Sequence, residues 1–379
     1  MTRPADRAPP PLVLSAEGKT WVWVTVLLAA VGWYKSITLV LLLGYLMFAL
    51  LVVNGWLARR HAKRAAAALD PPAPGTAGTE ARVQVSVTNH TARPATVGVE
   101  ARVGPHARTW LVHPLPGHAT VPCRAALAFT RRGHYRTQSR VTSGYPFGLL
   151  RYAAPPVSGP DVVVLPAEGA ADVNGLRRWL RQAGGDGRSR KLLRRVTTDE
   201  ADVRGVRPFR PGDAIRSVHW RSTARRRELM VREYDAAPSL DLVLVVEPWV
   251  PVAPTAAHLE AVEAALSLAV TLALAWSREY GTGVVVAVAG AGDSVRTAGP
   301  SEAAVRAALE PLAGVTGAPR FEPFGPRAFS RPLGRAVRLL VSSRPDSPYS
   351  GQISGGLGRA FLPLSPADPL PWYRPPGRS

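Results

Sequence analysis

The chain has 379 residues, 46% of them hydrophobic, and its 47 Lys+Arg against 27 Asp+Glu leave a formal charge of +20. That length gives room for two soluble domains beside a membrane anchor. The single cysteine, Cys123, excludes an intramolecular disulfide and any cysteine-cluster metal site. Arginine supplies nearly all of the positive charge, the only lysines being Lys19, Lys35, Lys63 and Lys191. With heavy Ala, Gly and Pro usage, this reads as a GC-rich coding bias that inflates the net charge. Charge of this kind serves either a solvated face near a membrane or an anionic partner.

Taken in order, the chain begins with two apolar segments, 21–34 (WVWVTVLLAAVGWY) and 37–57 (ITLVLLLGYLMFALLVVNGWL), split by Lys35 and Ser36. The second has the roughly 20 residues that a bilayer span needs, and tilt or local thinning accommodates the shorter first. Trp21, Trp23, Trp33, Tyr34 and Trp56 sit near the ends, as an aromatic belt does. Arg3, Arg7 and Lys19 precede the first segment, and Arg59, Arg60, His61, Lys63 and Arg64 follow the second. The positive-inside rule then predicts a transmembrane hairpin over 1–57 with both of its ends, and the soluble part, in the cytoplasm. A cleaved signal peptide fits poorly, because a second span follows at once with no small-residue cleavage site between.

Residues 58–79 read as a basic segment and a Pro/Gly linker. Alternation then predicts short strands at 81–87 (ARVQVSV), 95–103, 109–112, 119–129 and 140–141, a small β-sandwich over 80–160. VVVLP at 162–166 is a buried strand leaving it. Residues 175–195 are basic and glycine-broken, a loop or frayed helix. From 176 to 235 there are 17 Lys/Arg against 8 Asp/Glu, so the excess charge concentrates here.

The stretch 202–235, DVRGVRPFRPGDAIRSVHWRSTARRRELMVREYD, is the densest in non-interchangeable residues. Pro211, Gly212 and Asp213 read as a turn, with Asp213 capping a short helix or irregular turn through Ile215, Val218 and Trp220. Leu229, Met230 and Val231 suit a strand. Asp213 and Trp220 read as structural, the acid pairing with a nearby arginine and the tryptophan anchoring the turn on the sheet. Arg207, Arg210, Arg221 and Arg225 offer planar guanidinium forks to a carboxylate- or phosphate-bearing partner, or serve local structure. Gly205 and Gly212 complete the structural set.

This string resembles the signature of the domain-of-unknown-function 58 family, with Phe209 where a tyrosine is usual and Val218 where an isoleucine is usual. The strings 132–135 (RGHY) and 145–149 (YPFGL) are similar to the family too; their role reads as turn geometry and packing. The resemblance implies a membrane-anchored bacterial protein with a von Willebrand factor A-like domain, partnered by a MoxR-type AAA+ ATPase and with no defined activity.

Beyond the signature, strands at 240–246, 283–289 and 336–342 alternate with helices at 256–280 and 301–312, which predicts a mainly parallel sheet in an α/β domain over 161–365. Residues 256–280 are long enough for a third span, but Glu260 and Glu263 interrupt them and a strand follows, so a core helix is predicted. Residues 361–364 read as an edge strand, and the Pro-rich 366–379 as a loosely ordered tail.

The resemblance implies a metal site, Asp-x-Ser-x-Ser, at the end of the first α/β strand. Here that strand ends Glu247-Pro248-Trp249-Val250-Pro251. Glu247 can stand for the aspartate, but its followers carry no side-chain oxygen, so neither metal nor cofactor is expected. No G-x-S-x-G elbow and no H-E-x-x-H occurs. Asp213, His219 and Ser217 or Ser222 are close in sequence, yet such groups more often serve turns and caps. The expectation is therefore a non-enzymatic membrane scaffold for a MoxR-type ATPase. A hydrolase or nuclease using 202–235, or a basic-patch binder of nucleic acid or anionic lipid, are the alternatives.

Overall fold

The computed structural model describes residues 12–183, 203–210, 218–234, 241–290, 295–322, 324, 336–345, 347–351, 353 and 361–377. The chain divides into two units between Val164 and Leu165.

In the first unit, strand β1 (Leu12–Leu14) leads into helices α1 (Ala16–Tyr34) and α2 (Thr38–Ala62). Ser15 caps α1 by accepting from the Gly18 amide at 2.9 Å. The turn between the helices places Ser36 at φ 54°, and the Ile37 amide bonds back to the Gly32 carbonyl at 3.0 Å. Gly32 allows the close approach of α1 and α2, since a Cβ there would lie 2.7 Å from the Leu41 nitrogen. The two helices form an apolar hairpin with Trp23, Leu27, Trp33, Leu39, Leu42, Tyr45 and Phe48 exposed along it.

A β-sandwich follows. Strands β2 (Ala65–Leu69), β3 (Glu80–Asn89), β4 (Ala95–Val103), β5 (His106–Leu115), β6 (Thr120–Ala128), β7 (Thr137–Ser143) and β8 (Leu150–Ala153) make two antiparallel sheets. Their orders are β2-β3-β6 and β1-β8-β7-β4-β5. Alternate residues point inward, Val83, Val85 and Val87 from one sheet and Val97, Val99, Ala101 and Val103 from the other. The Ser139 hydroxyl crosses between sheets to the Ala67 carbonyl at 3.0 Å. Cys123 is buried on β6, and burial pushes its thiol pKa up.

Two features of this unit differ from the sequence reading. β1, ahead of the first helix, pairs with β8 (Leu12 opposite Tyr152) and is part of the sandwich. Residues 58–79, expected as a basic segment and linker, hold the end of α2 and then β2, whose Ala65, Ala67 and Leu69 are buried.

In the second unit, α3 (Val173–Ala183) sets Trp179 against Trp372, ring centroids 5.9 Å apart. The signature forms an antiparallel hairpin of β9 (Val203–Pro208) and β10 (Met230–Tyr234), with α4 (Trp220–Arg226) on the connection. Then come β11 (Asp241–Glu247), α5 (Ala256–Tyr280), β12 (Val284–Val288), β13 (Arg296–Ala298), α6 (Glu302–Ala308), β14 (Ala336–Ser342) and β15 (Leu362–Leu364). The sheet order is β13-β12-β11-β14-β15, parallel except for β13.

This sheet is covered on both faces, which is why its strands read as unbroken Val/Leu runs. Leu242, Leu244 and Val246 pack with Leu266, Ala269, Val270, Ala273 and Trp276 of α5. Val243, Val245, Ala287 and Leu340 pack with Tyr349, Ile353 and Phe361.

Two described helices, α2 and α5, are long and apolar enough to cross a membrane. Their settings differ: 67% of the most apolar window of α5 is buried, against 11% for α2. The helix expected at 301–312 is split, because Pro311 turns its second part into a 3-10 segment, Glu310–Ala313. The expected loose tail is packed as far as it is described. Leu370 and Trp372 are buried, and Tyr373–Arg374 pairs with Ala170–Ala171.

Candidate functional site

Two places in the second unit gather functional chemistry. The first is the signature hairpin. Gly205 lies in β9 beside an irregularity between Val203 and Gly205, and Arg207 faces Val231 in the register. The Arg207 guanidinium donates to the Pro208 carbonyl at 3.1 Å. Arg210 follows β9 and is exposed; Gly212 and Asp213 lie outside the described residues. The Phe209 amide bonds to Leu229 O and the His219 amide to Met230 O, both at 2.8 Å, so both halves of the signature close around Leu229 and Met230.

α4 is held from both ends. The His219 ring nitrogen Nδ1 lies 3.2 Å from the Ser222 amide and 2.8 Å from its hydroxyl, and caps the helix. Thr223 Oγ1 accepts the Met230 amide at 3.0 Å, and Arg227 ends the helix in a left-handed conformation at φ 58°. His219 and Ser222, the described members of the group formed with Asp213, therefore make a helix cap.

Trp220 corrects the sequence reading. It was expected to be buried and to anchor the turn, but it is 65% exposed at the first position of α4. Val218 and Met230 fill the inward positions instead. Arg221 and Arg225, one turn apart on α4, share a helix face and are both exposed.

The second place is the carboxyl end of the parallel sheet. From β11 the chain moves outward to β12 on one side, and it returns to β14 on the other. The ends of β11 and β14 therefore flank a topological switch point, where open α/β sheets carry their sites. The register sets Glu247 opposite Ser342.

The Glu247 side chain is fully buried. Its Oε2 accepts from the Ser342 hydroxyl at 2.6 Å and from the Ser347 hydroxyl at 2.5 Å. Its Oε1 accepts from Arg344 Nη2 at 2.8 Å. The Arg344 guanidinium also lies over the Trp249 ring, 4.7 Å from its centroid. The Trp249 indole N–H is bonded to Pro319 O at 3.1 Å, and the Ser343 hydroxyl to Trp249 O at 2.6 Å. Burial and the Glu247 charge push the Tyr349 phenol up to about 12.

These residues do not fit a divalent cation. The carboxylate that would lead such a site already takes three donors, and one of them is a cation. The two serine hydroxyls point their protons at it rather than their lone pairs outward. Among the described residues, no three His, Cys, Asp or Glu side chains cluster to hold a metal. Sequence reasoning singled out Glu247 but missed Ser342, Arg344 and Ser347. The signal was the polar string SSRPDS that begins at the last residue of β14.

Comparisons with known proteins add a family. Among solved structures, the CARDB domain of a Pyrococcus furiosus protein, solved in complex with di-metal ions, matches at 17% identity and a TM-score of 0.21. That match covers 26% of this chain and 91% of that one. A GH3 β-glucosidase from Bifidobacterium adolescentis matches at 14% identity and a TM-score of 0.17, covering 34% of this chain and 21% of that one. No curated protein matches. The family model described as "Protein of unknown function DUF58" matches residues 205–341. That segment runs from the signature hairpin to β14, and over it the chain is similar to the domain-of-unknown-function 58 family.

Proposed function

We propose that this protein is a non-enzymatic, membrane-anchored accessory protein that docks an AAA+ ATPase of the MoxR type. The observation that carries the reading is α4. An exposed tryptophan beside two exposed arginines on a short, well-capped helix is the composition of an interaction hot spot, since Trp and Arg dominate such sites. The partner class comes from the family resemblance. An arginine-bearing face suits an acidic partner, charge complementarity setting encounter rate and orientation more than final affinity.

The exposed apolar hairpin of α1 and α2 supports anchoring, because an apolar surface of that extent is not left in water. The von Willebrand factor A-like reading of the second unit rests on its mainly parallel sheet and on the strand-end site at Glu247. The basic flanks of the hairpin favour a cytoplasmic soluble part, the compartment of such an ATPase. A C-terminal reporter active only outside the cytoplasm would overturn that orientation.

Docking is tested by surface plasmon resonance between the detergent-solubilised full chain and the ATPase with nucleotide present. Charge reversal at Arg221 or Arg225 should slow association without unfolding, and the wild-type on-rate should fall as salt rises. Unchanged on-rates in both reversals would remove α4 as the docking surface.

A further inference from the structure

Within the first unit, the loop 144–150 between β7 and β8 is clamped against both hairpin helices. Asn54 of α2 has no exposed surface; its amide donates to the Gly144 carbonyl at 3.1 Å and its carbonyl accepts the Leu150 amide at 2.7 Å. On α1, the Ser15 amide and hydroxyl both donate to the Leu149 carbonyl, at 3.1 and 3.3 Å. Gly18 is needed there, since a Cβ would collide with the Leu149 carbonyl oxygen. His61 stacks on Tyr145, ring centroids 4.3 Å apart. Phe147, in the turn that the Gly148 amide closes on the Gly144 carbonyl at 2.7 Å, is 57% exposed.

The height of this loop follows from helix geometry. At about 1.5 Å per residue, Asn54 lies about 26 Å from the hairpin turn at Ile37, and Ser15 lies about 28 Å from the turn at Tyr34. The two helices therefore agree on the loop's level. A bilayer's hydrocarbon core is about 30 Å thick. With the turn at the far interface, the contacts of Gly144, Leu149 and Leu150 fall at the near edge of the hydrocarbon, while Tyr145, stacked on His61 about 36 Å from the turn, reaches the headgroups. Two further observations fit that level. Trp56 is 58% exposed just beyond Asn54, and the Arg60 guanidinium stacks over its ring at 5.2 Å, as an interfacial tryptophan and a snorkelling arginine do. Irregular backbone at membrane depth must have its polar groups met by protein, and Asn54 and Ser15 meet those of Gly144, Leu149 and Leu150.

We propose that the loop 145–149 of the β-sandwich is embedded in the bilayer interface, with Phe147 inserted at the boundary of acyl chains and headgroups. The sandwich then lies directly on the membrane, with no free linker between it and the anchor. The partner of this surface is lipid. The inference rests on the membrane-anchor reading and adds a contact outside the two helices.

The test uses the full chain in nanodiscs, with Cys123→Ala as background and single spin labels at Phe48→Cys, Phe147→Cys and Val252→Cys. Phe48 is exposed on α2, and Val252, 89% exposed, is the aqueous reference. Collision rates with oxygen, which partitions into lipid, and with a water-soluble nickel chelate report immersion. The expected oxygen-to-nickel ratio at 147 is several-fold above that at 252 and approaches that at 48. A ratio at 147 equal to that at 252, with 48 immersed, overturns the embedded loop and leaves the anchor standing. A water-like ratio at 48 as well overturns the anchor and the loop together.

Discussion

Arg344→Ala removes the cation from a carboxylate that has no exposed surface. Breaking a buried pair by deleting one partner costs about 3–5 kcal/mol, because the remaining charge is stranded. The Arg344 side chain is 25% exposed, so water solvates part of the gap and the lower end applies, about 3 kcal/mol. Loss of the guanidinium stacked on Trp249 adds about 0.5–1 kcal/mol. The sum is about 3–4 kcal/mol. For a unit of this size each kcal/mol lowers Tm by about 2–4 °C, which gives a fall of about 6–16 °C. Differential scanning calorimetry of the detergent-solubilised chain reads it directly. A double-mutant cycle with Glu247→Gln isolates the pair: once the charge is gone, the arginine should matter far less, with a coupling energy of about 1–3 kcal/mol. If Arg344→Ala shifts Tm by less than about 2 °C, or if the two substitutions simply add, Glu247 does not depend on Arg344 and the account of the strand end is wrong.

Three other outcomes follow from separate parts of the molecule. Trp220→Ala, at an exposed position, should change stability by no more than about 0.5 kcal/mol while weakening capture of the ATPase; a large fall in Tm with intact capture would restore the anchoring role. Asn54→Leu leaves two backbone groups without their partner at about 1–3 kcal/mol each, so the first unit should lose Tm in thermal scans despite the gain in apolarity. Arg278 and then Arg306 hydrogen-bond the Glu302 carboxylate and hold it down to about 2, below the roughly 4.3 of a free glutamate. A depressed carboxylate stabilises fully above the unfolded value and loses that contribution as pH falls toward the folded one. The Tm gap between wild type and Glu302→Gln should therefore be level from pH 8 to 5 and narrow below about pH 4.5. The gap will be small at an exposed site, and a gap that widens on acidification would refute the assignment.

Much of the fold was legible because burial leaves a periodic mark. Alternation in β3 and β4 gave the sandwich, and the unbroken apolar runs of β11, β12 and β14 gave a sheet covered on both faces. The helix 256–280 was separated from a membrane span by Glu260 and Glu263 and by the strand after it. Composition misled where single residues outvoted it. The Pro-rich end is held by Leu370 and Trp372. Alanine disfavours strands, so the run at 65–69 hid β2; beside Val85 and Val87, small inward residues are what the space allows. Trp220 reads in the sequence as the anchor of the turn on the sheet, but it stands exposed at the start of α4. The helix begins only at Trp220, and that change of backbone turns the next side chain outward.

The strand-end site was half legible for a physical reason. Glu247 stands where the family resemblance implies a cation ligand, but its partners arrive from 95 to 100 residues away, and only the parallel register of β11 with β14 brings them in. Until that pairing is known, SSRPDS is one more polar loop. Once it is known, the chemistry of the site changes sign. A carboxylate with free lone pairs recruits a metal; one already engaged by a guanidinium and two hydroxyls repels it, because a divalent ion would have to displace Arg344 and turn both serines around. The strand end is then self-contained, and its stability should not follow cation concentration. Scans of the full chain in excess Mg²⁺ and in chelator should give the same Tm for the second unit, and titration calorimetry should show no stoichiometric heat. A chelator-reversible stabilisation that Glu247→Ala abolishes would mean that the ion competes successfully with Arg344 and that the guanidinium is a placeholder for it.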